Sequence, residues 1–186
     1  MLEHILLDLD STLICSIPTP NKDSDQFKHV QHLENHVMDQ IYTIFERPHL
    51  QKFLDHVFKN YKVSIFTASS KNYCLFIVQK FIMKPGRKLE YVFFSYHCNL
   101  SKNRYKGNHK RLALLSHDFQ LASIFPIPGS VLVDDLEDWS KDQKDLVMII
   151  KAYELSDPNA HEDNELLNML KTLDSVATTT TTVVAN

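Results

Sequence analysis

Apolar and polar positions along this chain change period repeatedly, and the changes predict alternating strands and helices. Ile5-Leu6-Leu7 is a short continuous apolar run that ends in Asp8-Leu9-Asp10-Ser11-Thr12, the pattern of a parallel strand buried on both faces. Leu50, Phe53, Leu54, Val57 and Phe58 repeat at helical spacing behind Pro48, which predicts an amphipathic helix with the proline at its first position. Lys62-Val63-Ser64-Ile65-Phe66 reads as a second buried strand, closed by Thr67-Ala68-Ser69-Ser70. Cys74, Ile77, Val78, Phe81 and Ile82 form another helical stripe, stopped by Lys84-Pro85-Gly86. Tyr91 to Phe94 predicts a strand, then a basic loop, then a short helix on Leu112, Leu114 and Leu115 that ends near His117 and Asp118. Pro126, Pro128 and Gly129 break the chain before a further strand, Ser130 to Val133, again ending in acids, Asp134 and Asp135. Val147 to Ile150 predicts another strand, and Leu166, Leu167, Leu170 and Leu173 a closing helix. The alternation predicts an α/β fold with a parallel sheet covered by helices on both faces.

One segment interrupts it. Ser16 to Glu46 reads as an insertion after the first strand: Pro18, Pro20, Asn21, Asp23 and Ser24 favour turns, and Ile41 to Phe45 suggests a strand leading back. His29, His32 and His36 have the spacing that would place three imidazoles on one helix face. Without a cysteine or second ligand cluster, that face is read as solvated or partly packed, not as a metal site. Residues 1–175 are expected to form one domain. The tail, 176–186, is rich in threonine from Thr178, and is expected to be disordered or poorly packed.

With 186 residues, the chain has room for one sizeable core. A net charge of −3 and the lack of a long basic run argue against nucleic acid as a direct ligand. Lys102, Arg104, Lys106, Lys110 and Arg111 nevertheless concentrate positive charge, either as a solvated loop or as an anion-attracting rim. Three cysteines, Cys15, Cys74 and Cys98, contain no Cys-x-x-Cys pair, which disfavours a disulfide framework or zinc ribbon and suits a reducing compartment. The chain enters its first strand almost at once, and no run is long enough to span a bilayer. A soluble intracellular protein, cytoplasmic or nuclear, is expected.

The chemistry sits at strand ends, where open α/β sheets place reactive groups. Residues at i and i+2 leave a strand on the same side, so Asp8 and Asp10 can meet one ligand together. Asp8 is suited to attack phosphorus and form an aspartyl-phosphate, and Asp10 to move the proton. Bringing an anionic phosphate to an aspartate calls for a hard divalent cation such as Mg²⁺. Thr67 and Ser69, and Asp134 and Asp135, would join this site if their strands neighbour the first.

The stretches Asp8-Leu9-Asp10-Ser11-Thr12-Leu13, Arg47-Pro48-His49, Phe66-Thr67-Ala68-Ser69 and Val133-Asp134-Asp135 together resemble the haloacid-dehalogenase (HAD) phosphatases, in the branch of RNA polymerase II carboxy-terminal-domain (CTD) phosphatases and NLI-interacting-factor-like proteins. The resemblance implies a HAD-like sheet, Asp8 as nucleophile, Asp10 as general acid/base, and Mg²⁺ held by the Asp8 carboxylate and the Asp10 carbonyl. It implies Thr67 as a phosphoryl-binding hydroxyl, Asp135 as the usual direct metal ligand, and Asp134 as an acidic neighbour that can also reach the metal. Lys110, followed by a leucine-bearing segment, fits the family's phosphate-binding lysine; Lys106 and then Lys102 are the alternatives. Ser11 and Leu136-Glu137-Asp138-Trp139 depart from the family's usual residues, and the histidine-rich insertion occupies the place of its small substrate-facing sheet without matching it closely.

The function so implied is Mg²⁺-dependent hydrolysis of phosphoserine or phosphothreonine in an extended phosphopeptide or phosphoprotein. A phosphotyrosine phosphatase of the same fold and a noncatalytic HAD-like binding module are the competing readings.

Overall fold

In the computed structural model, which describes residues 2–106, 109–127, 129–137 and 143–182, a five-stranded parallel sheet carries the chemistry. Its strands are β1 (His4–Leu7), β5 (Lys62–Phe66), β6 (Leu89–Phe93), β7 (Ser130–Asp134) and β8 (Val147–Ile149), in the order β6-β5-β1-β7-β8. β1 lies at the centre: Leu7 is in register with Ile65 of β5 and Val133 of β7. A central strand has no face toward water, which is why its four residues are all buried.

The period of two divides the core. Ile5, Leu7, Val63, Ile65 and Val133 face one layer, formed by α1 (Leu50–Asn60), α2 (Lys71–Ile77) and α4 (Glu165–Thr182). Leu6, Phe66 and Leu132 face the other, against Cys98 of α3 (Ser95–Arg104) and Leu112, Leu115 and Phe125. On α1, Leu50, Phe53, Leu54 and Val57 are fully buried, and each contributes roughly 1.5–3 kcal/mol on leaving water. α1 starts at Leu50, two residues past Pro48, because His49 takes a left-handed backbone (φ 67°) that separates the proline from the first turn.

The expected insertion folds as a second, antiparallel sheet of β2 (Ile14–Pro18), β4 (Tyr42–Glu46) and β3 (Asn35–Met38), with β4 in the middle. Ser16 to Pro18 therefore belong to a strand and not to a turn. Ile17, Phe27, Val30 and Phe45 pack with Tyr153, Leu155 and Ala160 in a separate apolar cluster, which ties this sheet to the segment after β8.

Three further expectations change. His29, His32 and His36 do not share one helix face: a short, tightly wound helix, Asp25–Val30, ends before His32, and His36 lies on β3, where pairing with β4 sets the backbone. His29 instead approaches the Asp157 carbonyl at 2.9 Å, and the His29 and His32 rings both meet His161 edge-on, whereas His36 packs on Phe81. The basic loop begins as α3, a helix with no apolar stripe and only Cys98 and Ser101 buried. The short helix forms where expected, ending at Asp118 in one wide turn over Leu114–Asp118. α4 continues through Thr182, carried by its leucine face and by Thr172 and Ser175 hydroxyls donating to carbonyls one turn back; residues 183–186 lie outside the described residues. Among those described, no helix is long and apolar enough to cross a membrane.

Candidate active site

Asp8 stands one residue beyond β1, and its N–H donates to the Val133 carbonyl at 3.0 Å, so the ladder holds it at the sheet's carboxyl edge. The chain then folds sharply over Leu9, whose carbonyl accepts from Leu13 at 2.8 Å. Ser11 adopts a left-handed backbone (φ 57°). This turn buries Thr12 and directs its hydroxyl onto Asp135 Oδ1 at 3.2 Å. Asp135 follows β7, the strand paired directly to β1.

Lys110 reaches the same place from the opposite layer. Its side chain is 2% exposed, and Nζ lies 2.7 Å from both Asp8 Oδ1 and Asp134 Oδ2. Burial disfavours the ammonium, but the two carboxylates outweigh that and move its pKa upward. Gln143 holds the lysine's backbone: its amide N–H donates to the Lys110 carbonyl at 2.7 Å, and its oxygen accepts from Leu112 N–H at 3.0 Å. Lys102, Arg104 and Lys106 stay exposed. Arg104 lies 3.6 Å from Asp118, and Arg111 stacks on Tyr105. Of the cationic residues in this segment, Lys110 alone is buried against the strand-end acids.

Asp134 is fully buried, with Oδ2 on Lys110 and Oδ1 accepting from Leu136 N–H at 3.0 Å. Burial and then repulsion from Asp8 push its carboxyl upward, against Lys110. Burial and Asp8 do the same to Asp135, opposed by the Thr12 hydroxyl. Asp8, Asp134 and Asp135 each bring a carboxylate oxygen within 4.8 Å of the other two. Three crowded acids against one ammonium leave a surplus of negative charge, and an all-oxygen donor set suits a hard divalent cation. The residues fit Mg²⁺.

Thr67 follows β5 and is 1% exposed; its N–H donates to Phe93, and its hydroxyl donates to Ser69 Oγ at 3.1 Å while accepting Ser69 N–H at 3.2 Å. The two hydroxyls are thereby held together beside the central strand's end.

Asp10 faces outward into a cleft of about 310 Å³ shared with Ser16, Tyr42, Ser69, Ser70 and Tyr73. Burial raises its pKa to about 6, with the Tyr73 hydroxyl opposing and Asp8 reinforcing the rise. Tyr73 lies on the first turn of α2, where Ser70 caps the helix, and its hydroxyl donates to Asp10 Oδ1 at 2.7 Å. Its ring meets Tyr42 of β4 edge-on at 6.0 Å, so the small sheet forms one wall of the cleft. Tyr73 and Gln143 are site residues that the sequence reading misses. A capping serine three positions before a tyrosine, directly after the Phe66-Thr67-Ala68-Ser69 strand end, is the signal that points to the first. Cys15 is half-buried, and burial pushes its thiol upward, away from nucleophilic use.

Asp8 beside a buried lysine, three converging carboxylates and Asp10 in its cleft thus gather at the carboxyl edge of one parallel sheet, an arrangement that suits a phosphoric monoester hydrolase. The chain belongs to the NLI interacting factor-like phosphatase family, whose model matches residues 3–184. It is 42% identical over 179 residues to the CTD phosphatase-like protein 355R of Invertebrate iridescent virus 3, an alignment covering 92% of this chain and 95% of that protein. Its fold is similar to that of a fission yeast RNA polymerase II CTD phosphatase, an Fcp1 variant bound to beryllium fluoride (TM-score 0.55, 19% identity, 82% of this chain). The chain spans 42% of that Fcp1 chain. It is also similar to a HAD family enzyme of Bacteroides thetaiotaomicron in complex with magnesium and inorganic phosphate (TM-score 0.51, 16% identity, 83% of this chain and 96% of that one).

Proposed function

We propose that this protein is a Mg²⁺-dependent phosphatase of phosphoserine or phosphothreonine in an extended protein segment, working through an aspartyl-phosphate on Asp8. The observation that carries the reading is Lys110 Nζ at 2.7 Å from both Asp8 and Asp134, buried beside Asp135. Asp8, Asp135 and the Asp10 carbonyl would hold Mg²⁺, with Asp134 as acidic neighbour and anchor of Lys110; the bound ion neutralises phosphoryl charge.

Lys110 and the Thr67 hydroxyl bind phosphoryl oxygens, fixed electrostatic stabilisation that needs no reorganisation during the reaction. An Asp8 oxygen attacks phosphorus as the ester P–O bond breaks, and Asp10 gives its proton to the leaving oxygen. Asp10, now ionised, takes a proton from water as that water attacks the phosphoryl group; the Asp8–phosphorus bond breaks, releasing phosphate and restoring both acids. Ser69 lines the leaving-group side with Tyr42 and Tyr73. An alkoxide is a poorer leaving group than a phenolate, so an acid with a pKa raised to about 6 suits serine or threonine better than tyrosine.

The relative's name and the Fcp1 likeness support a CTD-like phosphoprotein substrate. Residues 1–175 serve as one phosphatase domain, with 16–46 as its substrate-facing insertion, and the three free cysteines suit a reducing intracellular compartment. A panel of matched phosphoserine, phosphothreonine and phosphotyrosine peptides, assayed with Mg²⁺ and again after EDTA, tests the reading. Metal-dependent release from the first two, lost in Asp8→Asn, is expected. Equal turnover by wild type and Asp8→Asn overturns it.

A further inference from the structure

Arg47 belongs to the Arg-Pro-His stretch and touches none of the reacting groups, yet its side chain is completely buried. Its guanidinium makes five hydrogen bonds. Nε and Nη2 donate to Asp163 Oδ1 and Oδ2 at 2.8 and 2.9 Å, a bidentate pair. Nη2 also donates to the Lys151 carbonyl at 2.8 Å, and Nη1 to the carbonyls of Thr12 at 2.9 Å and Ser11 at 3.5 Å. The guanidinium lies over the Tyr153 ring, 5.3 Å from its centroid, while Tyr153 N–H donates to the Ser11 carbonyl at 2.7 Å.

These contacts converge on the turn between Asp10 and Thr12. Ser11 holds a left-handed backbone that a residue with a Cβ adopts only when its surroundings impose it. The surroundings here are Arg47 and Tyr153, which secure the two carbonyls from one side. The turn determines where the Asp10 carbonyl points and keeps the Thr12 hydroxyl on Asp135 Oδ1. A shift of this turn would disturb both groups at once.

We infer that Arg47 and Asp163 are a positioning pair for the cation site: by fixing the Ser11–Thr12 backbone, they set the affinity for Mg²⁺ from beyond the ion's reach. This inference rests on the function proposed above. A lysine cannot reproduce the planar fork that serves Asp163 and two sets of carbonyls together, so Arg47→Lys retains charge and loses the geometry. Asp163→Asn retains the shape and loses the ion pair. A role confined to holding the fold together would lower thermal stability in both variants and leave cation affinity alone.

Calorimetric titration of the full chain with Mg²⁺, without substrate, separates the two roles, and phosphate release at saturating Mg²⁺ gives a second reading. Folded Arg47→Lys and Asp163→Asn should bind Mg²⁺ about tenfold more weakly or worse, with kcat at saturation within about threefold of wild type, since an ion-positioning defect is overcome by mass action. Thr12→Val, which removes only the last link to Asp135, should weaken binding in the same direction. Unchanged Mg²⁺ affinity in a folded variant overturns the inference while leaving the phosphatase reading intact. Failure of both variants to fold also overturns it, because the pair is then a fold staple. If wild type itself does not bind Mg²⁺, the function proposal fails first.

Discussion

The Tyr73 hydroxyl donates to Asp10 Oδ1 across 2.7 Å, joining the first turn of α2 to the acid that follows β1. This bond favours the ionised carboxylate, in opposition to burial. Removing it in Tyr73→Phe should raise the Asp10 pKa above its present value of about 6. The limb of the pH–rate profile on which activity falls as the acid loses its proton should therefore move to higher pH. A loss in kcat/KM of about tenfold is expected from the freed carboxylate orientation. Profiles of wild type and Tyr73→Phe at fixed Mg²⁺ check both; a downward move contradicts the assignment of Asp10 as the acid.

Lys110 compensates two buried carboxylates. Lys110→Met should lower kcat on p-nitrophenyl phosphate by about a hundredfold to a thousandfold, the usual consequence of deleting a fixed charge aimed at the transition state. The same change leaves Asp8 and Asp134 without their ammonium and should destabilise the fold by about 3–5 kcal/mol in the absence of metal. Added Mg²⁺ should restore part of that stability. Thermal unfolding with and without the ion provides the measurement.

The acidic cluster predicts its own response to metal. Mg²⁺ should raise the unfolding midpoint of wild type, because a ligand bound only by the folded state stabilises it by mass action. Asp135→Asn should blunt that rise and weaken turnover at limiting Mg²⁺. An equal rise in both proteins would place the ion elsewhere.

His4 gives a test remote from catalysis. It is fully buried, with Nε2 2.9 Å from Ser64 Oγ and Nδ1 3.1 Å from the Ile124 carbonyl. Burial lowers its pKa from 6.5 to about 4, a shift that the Ile124 contact only partly opposes. Above pH 6.5 the imidazole is neutral in both states and its folded interactions count in full. As pH falls from 6.5 toward 4 the unfolded chain takes up the proton first, and stability drops by up to about 3 kcal/mol. The stability difference between wild type and His4→Gln, measured by urea unfolding, should shrink from pH 7.5 to pH 5.

Much of this architecture was legible in the residues. β1, β5 and β7 announce themselves as apolar runs closed by polar groups because both faces of a parallel strand are buried. α1 was legible because one of its faces packs on that sheet. α3 was not: with only Cys98 and Ser101 buried it has no stripe, and its polar residues read as loop. The histidine spacing of three and four carries no such information, since it is compatible with one helix face but strand pairing decides the backbone at His36. The strand-end acids and hydroxyls are legible as the polar ends of apolar runs, and the leucine-bearing segment after Lys110 sets that lysine apart from its neighbours. Tyr73, Gln143 and Asp163 depend on contacts between elements far apart in sequence, which no local pattern encodes.

The central place of β1 governs when this protein can act. The strand bearing the first acids has a partner on each side, and one of these begins at Ser130, more than a hundred residues further along. Lys110, Asp135 and the Lys151 carbonyl that steadies Arg47 are translated later still than β5. Asp8 therefore meets Lys110 and Asp135 only after segments distant in sequence have folded onto β1. Assembly of the site is thus tied to long-range strand pairing and not to any single stretch of sequence.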